Sequence, residues 1–240
     1  MKIEELGKEN EKIIVMLHGA NFVHSFGKQY SLADTYHIIV PHIMGYGDEA
    51  GRVFETEACI NELGSYIKGL GKKVYLVGFS LGAQLGFKLI SDYPELFESA
   101  ILISPWLIKE EPFFSKVIEM NLKQLSTFKN KFMCNLIGMM NGLPKVERKK
   151  FVNQMQNVKE ETVRNAVDNK ITLDSVPGFK AVSFPVIALA GVKEQAEVTY
   201  SIKKMAELNP NCRYEIWDKA AHNIPPLFAD RLNTLIRSAF

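Results

Sequence analysis

Three observations predict an α/β protein with a doubly wound, mostly parallel sheet. Short apolar runs alternate with amphipathic stretches along most of the chain. The motifs that could carry chemistry each follow one of those runs, where open α/β sheets hold their ligands. The 240 residues, 47% of them apolar, are enough for one compact domain with a substantial core.

The first run, Ile13–Leu17, is short and wholly apolar and delivers His18 and Gly19 into a turn. His37–Val40 reads as the next strand. Val74–Val77 is the third, and Leu81, Leu85, Phe87, Leu89 and Ile90 recur behind it on a helical face. Ala100–Ile103 and Val186–Ala190 are buried-strand patterns, the latter ending at Gly191 before a helix from about Ala196 to Leu208. Arg213–Trp217 is the last strand, with Asp218 as a turn residue behind it and a final helix beyond. Between Pro105 and Phe184 the alternation stops. Trp106–Met120, Leu122–Met140, Lys145–Val158 and Glu160–Asn169 read as helices, and Phe113, Phe114, Phe128, Phe132, Met133, Met139 and Met140 supply apolar bulk. The run from Glu147 to Lys150 reads as a solvated helix face. The expected division is a core of 1–105 and 184–240 with a helical insertion at 106–183.

Ser80 sits where the third strand turns into its helix, in the sequence Gly78-Phe79-Ser80-Leu81-Gly82. Glycine two residues before and after suits a turn so tight that a Cβ at either position would meet neighbouring backbone. Such an elbow holds its serine in an unfavourable backbone conformation, at a cost on the order of 1–3 kcal/mol, and presents Oγ above the sheet edge. Acyl chemistry at that hydroxyl also needs an oxyanion site, a base and an acid that orients the base. The backbone amides of Ala20, in the His18-Gly19 turn, and Leu81, after the serine, are the candidate oxyanion donors.

His222, in the loop after the last strand, is the candidate base. His18 is read as bonding within the oxyanion turn, His37 as opening a strand, and His24 and His42 as loop residues with structural or solvent-facing roles. The acid is expected just past Gly191: Glu194 is the choice and Glu197 the reserve, the latter also suited to a helix N-terminus.

The assembled motifs resemble the α/β-hydrolase superfamily: HGA before the first crossover, GFSLG at the elbow, a carboxylate after a late strand, and AAHNIP near the end. YHIIVPHIMGYGDE and YPELFESAILISP extend the likeness over nearly the whole chain. The resemblance implies a Ser, acid, His order, and it makes the helical insertion the cap set before the acid-bearing strand. This chain departs from the pattern at His42 and Met44-Gly45, where an acidic residue and a Pro-Gly pair are common, and at Glu194, where Asp is usual. It implies a serine hydrolase acting on a small to medium ester through an acyl-enzyme. Two rivals share the fold: cleavage or elimination at C–C or C–O bonds with the Ser–His pair as base, and a ligand-binding protein without turnover. Poly-carboxylate substrates of the first rival usually meet arginines, whereas Gln84 stands soon after this elbow.

Composition narrows the partners. Twenty-nine Lys and Arg against 27 Asp and Glu leave a net charge of +2, which gives no reason to invoke nucleic acid or an anionic membrane. No apolar stretch approaches the ~20 residues of a spanning helix. The opening MKIEELGKENEK lacks a signal-peptide pattern, and Cys59, Cys134 and Cys212 fit reduced thiols, so a cytoplasmic setting is expected. No metal motif and no cofactor are expected. The expected partner is a small acyl substrate with an apolar part, and the oligomeric state is left open.

Overall fold

A computed structural model describes residues 1–140 and 142–240. The chain runs β1 (Ile3–Leu6), β2 (Ile13–Leu17), β3 (His37–Pro41), α1 (Thr56–Gly69), β4 (Val74–Phe79), α2 (Leu81–Asp92) and β5 (Phe97–Ile103). Then come α3 (Phe113–Lys129), α4 (Lys131–Met140), α5 (Lys145–Met155) and α6 (Glu160–Val167). It closes with β6 (Val186–Gly191), α7 (Ala196–Leu208), β7 (Cys212–Trp217), α8 (Ile224–Leu227) and α9 (Ala229–Ala239).

The strands form one sheet in the order β1-β3-β2-β4-β5-β6-β7. All pairings are parallel except β1 with β3. Alternate side chains of each strand serve opposite layers. Val15, Leu17, Leu76 and Leu102 pack with Leu63, Leu85 and Ile202 of α1, α2 and α7. Ile14, Met16, Val77 and Ile101 pack with Leu32 and with Leu232 and Ile236 of α9. Burial on both faces explains why β2 reads as an unbroken apolar run.

The six expected strands are present, and β1 is an addition. Its four residues, Ile-Glu-Glu-Leu, pair antiparallel with β3 at the sheet edge. Its glutamates have specific partners: Glu5 lies 3.0 Å from His37 Nε2, and Glu4 lies 3.5 Å from His42 and 3.7 Å from His24. His24 and His42 are therefore buried structural groups and not solvent-facing ones. The His42 imidazole 3.5 Å away is the main reason the Glu4 carboxyl is held down at about 2, although burial pushes the other way.

The helices between β5 and β6 differ from the expected boundaries. Trp106–Glu111 is not helical. The segment is irregular instead, with Leu107 N–H donating to Ser201 Oγ of α7 and Leu107 C=O accepting from Leu173 N–H. Helix α3 starts only after Pro112, a residue with no N–H to give an upstream carbonyl. The break falls at Asn130 and not at Asn121, because Asn130 Oδ1 accepts the Met133 N–H and starts α4 afresh. Helices α5 and α6 end three and two residues earlier than the sequence pattern indicates, at Met155 and Val167.

Candidate active site

Ser80 has φ +53 and ψ −114, a left-handed backbone that an L-residue adopts only when its surroundings enforce it. Here they do. Ser80 N–H donates to Ile103 C=O at 2.8 Å, and Ser80 C=O receives the Ala83 and Gln84 N–H groups of the first turn of α2. A Cβ on Gly78 would lie 2.5 Å from the Gly82 carbonyl oxygen, and one on Gly82 only 2.0 Å from that of Leu17. Both glycines are thus required by backbone crossing backbone, as their spacing predicts.

The turn after β2 lies beside this elbow, since a Cβ on Gly19 would meet the Phe79 ring at 2.9 Å and Ser80 Cβ at 3.3 Å. His18 is fully buried, and burial drives its imidazole down to about 3, so the ring is neutral. Its Nε2 accepts the Ile43 N–H at 2.9 Å, which leaves the proton on Nδ1 to donate to the Gly19 carbonyl. That tautomer ties the turn to the loop after β3. Ala20 and Leu81 both line the cavity over Ser80. Among the described residues no acceptor takes either amide N–H, so both are available to an oxygen placed there.

The loop after β7 brings His222 over the elbow. The Ser80 hydroxyl lies 2.9 Å from His222 Nε2, and His222 Nδ1 lies 3.1 and 3.2 Å from the two carboxylate oxygens of Glu194. A carboxylate can only accept, so Nδ1 carries the proton and Nε2 is free to take one from Ser80. Glu194 follows β6 directly, with its side chain 3% exposed, while that of His222 is 47% exposed. Burial pushes the Glu194 carboxyl up, but hydrogen bonds from His222, Ser104 and the Gln195 backbone outweigh it and hold the group below the ordinary carboxylate range. Glu197 sits in the first turn of α7 and makes no side-chain bond to His222. The structure therefore brings Glu194, and not the reserve Glu197, to the imidazole.

Ser104 was not legible as a site residue. It follows β5 in a left-handed conformation of its own, φ +54, with its N–H on Leu189 C=O at 2.7 Å. Its hydroxyl donates to Oε1 of Glu194, the oxygen nearer His222. The available signal was its position immediately after an apolar strand, the rule that also locates Ser80 and Glu194.

A cavity of about 440 Å³ opens over these groups. Phe22, Trp106, Phe113, Val117 and Val163 make much of its wall apolar. Gln84 adds a polar point, and its Oε1 already accepts from Asn169 Nδ2 at 2.9 Å, which leaves the amide N–H pair for the cavity side. Asn169 is fixed in turn by Ile171 N–H and by Lys109 Nζ, whose burial lowers its amine to about 7.

Solved structures of the same architecture cover nearly the whole chain. A thermophilic esterase from Thermogutta terrifontis is 20% identical with a TM-score of 0.75, over 99% of this chain and 91% of that one. A carboxylesterase structure from the thaumarchaeon Nitrososphaera gargenis is 14% identical with a TM-score of 0.75, covering 99% and 92%. MenH from S. aureus is 19% identical with a TM-score of 0.76, covering 99% and 96%. At these identities the likeness establishes the fold. No curated protein matches the chain in sequence. The family profile for the alpha/beta hydrolase fold matches residues 12–227, from the run that forms β2 to the end of α8, and the chain belongs to that family.

Proposed function

We propose that the protein is a serine esterase in which Ser80 is the nucleophile, His222 the general base and Glu194 the acid that orients it. The observation that carries this reading is the unbroken chain of contacts from Ser80 Oγ to His222 Nε2 at 2.9 Å and from Nδ1 to Glu194 at 3.1 Å. As Oγ attacks an acyl carbon, its proton passes to Nε2, and the imidazolium is stabilised by the ionised Glu194. The carbonyl oxygen becomes an oxyanion between the Ala20 and Leu81 amides. His222 then gives the proton to the leaving alcohol, and water repeats the sequence to free the acid. Every proton moves between groups of this chain, its substrate and water, so the reaction calls for no cofactor.

The esterase structures of the same fold support ester hydrolysis as the reaction class. The wall of Phe22, Trp106, Phe113 and Val117 favours a substrate with an apolar part, and Gln84 favours an uncharged acceptor on it. Helices α3 and α6 contribute Phe113, Val117 and Val163 to that wall, which supports reading the insertion as a cap over the site. Purified wild type is expected to hydrolyse short-chain aryl esters. Unchanged turnover in Ser80→Ala protein would overturn the assignment.

A further inference from the structure

The insertion carries a second surface that the esterase reading does not use. In α4, Lys-Phe-Met-Cys-Asn-Leu-Ile-Gly-Met-Met, only Lys131 and Asn135 are polar. An α-helix apolar on all sides is ordinarily buried on all sides. This one is not. Cys134 and Gly138 turn inward, the latter against Arg148 and Phe151 of α5. On the opposite side Phe132, Met139 and Met140 are 74%, 52% and 70% exposed, and at 100° per residue they share one face. Among the described residues ten large apolar side chains are exposed, and six of them (Met120, Phe132, Met133, Met139, Met140 and Val146) lie between Phe113 and Met155. A seventh, Leu227, sits against Gly142 just beyond α4. Clustering of this kind marks an interaction surface, whereas scattered apolar residues do not.

Charge identifies the occupant. From Phe113 to Met155 there are eight Lys and Arg and two Glu, a surplus of six on a chain whose net charge is only +2. Lys116 and Lys123 flank Met120 on one face of α3, Lys131 opens α4, and Lys145 and Lys149 border Val146 on α5. These five are exposed and make no ion pair among the described residues. We propose that this face docks peripherally onto an anionic lipid surface, with the α4 side chains entering the headgroup boundary and the lysines lying over the lipid charges. Apolar insertion with a basic rim is the pattern that such surfaces bind. A two-fold second copy fits worse, because an isologous contact would set the same lysines against each other.

Docking in this way would also orient the cavity. Met120 and Asn121 of α3 line it, and Gly142 packs on Pro226 and Leu227, close behind His222. The expectation of no membrane partner rested on the small net charge and the absence of a spanning segment. Among the described residues no helix is long and apolar enough to cross a membrane, and surface docking requires none.

Sedimentation with vesicles tests the proposal independently of catalysis, using Ser80→Ala protein beside wild type. Both are expected to bind vesicles of phosphatidylcholine with one-third phosphatidylglycerol at least about tenfold more tightly than pure phosphatidylcholine at about 0.1 M salt. Phe132→Ser with Met140→Ser is expected to lose about tenfold or more of that binding while leaving turnover of a soluble aryl ester and the melting temperature unchanged. Lys145→Glu with Lys149→Glu should abolish the preference for anionic lipid. No binding by wild type, equal binding to both vesicles, or binding indifferent to Phe132 and Met140 would overturn it. So would a dimer in light scattering that the Phe132 and Met140 changes dissociate, which would assign the face to a second copy.

Discussion

The rim of the sheet and the helical insertion above it obey different constraints. On the rim, backbone meets backbone: the closest approach is that of Gly82 to the Leu17 carbonyl, and Ser80 is held at φ +53 by bonds from three directions. In the insertion, side chain meets side chain, and one helix leaves Phe132, Met139 and Met140 uncovered. Backbone crossings admit almost no variation in residue type, so they leave marks in sequence. Side-chain packing is satisfied by many residues, and an uncovered face is satisfied by something outside the chain.

The largest expected effect falls on the rim. Ser80→Ala should lower kcat by roughly 10⁴-fold or more in a short-chain ester assay, with KM little changed. Glu194→Gln should cost less than loss of the nucleophile but still on the order of 10⁴-fold, because an amide fills the space yet can set the imidazole in the wrong tautomer and leaves the imidazolium uncompensated. If Glu197→Gln cost more than Glu194→Gln, the contacts of His222 would have been misread. Ser104→Ala should reduce kcat/KM by about tenfold. A second readout separates positioning from mere structure: because the Ser104 hydroxyl holds the carboxylate that orients the base, its loss should fall on kcat with KM and the melting temperature little changed.

A smaller effect lies at the sheet edge. The Glu4 carboxyl is lowered from 4.5 to about 2, so the unfolded chain takes up its proton first as the pH falls. The stabilisation it provides is whole above pH 4.5 and disappears as the pH drops toward 2. Chemical denaturation at neutral pH and in that acid window should therefore show wild type losing more stability on acidification than Glu4→Gln. Equal losses would mean that His42 does not hold the carboxylate.

The same contrast explains what could be read in advance. Ser80, Glu194 and His222 were legible because each follows a strand and parallel strands bring such ends to one rim, and Gly78 and Gly82 because of their spacing about the serine. Ser104 obeys the rule too, but a serine before a proline has many ordinary uses, and its meaning depends on a glutamate 90 residues away. Strand β1 was missed because two of its four residues are glutamates, which only the buried histidines and His37 explain. The break at Asn130 hinged on one side-chain cap, and apolar periodicity continues across it.

The central claim is that Ser80 is activated by His222, and labelling with a fluorophosphonate probe tests it most directly. Wild type should be modified at Ser80, as located by peptide mass mapping, and His222→Ala protein should label at least about a hundredfold more slowly. Modification at another residue, or an equal rate in the two proteins, would contradict the account.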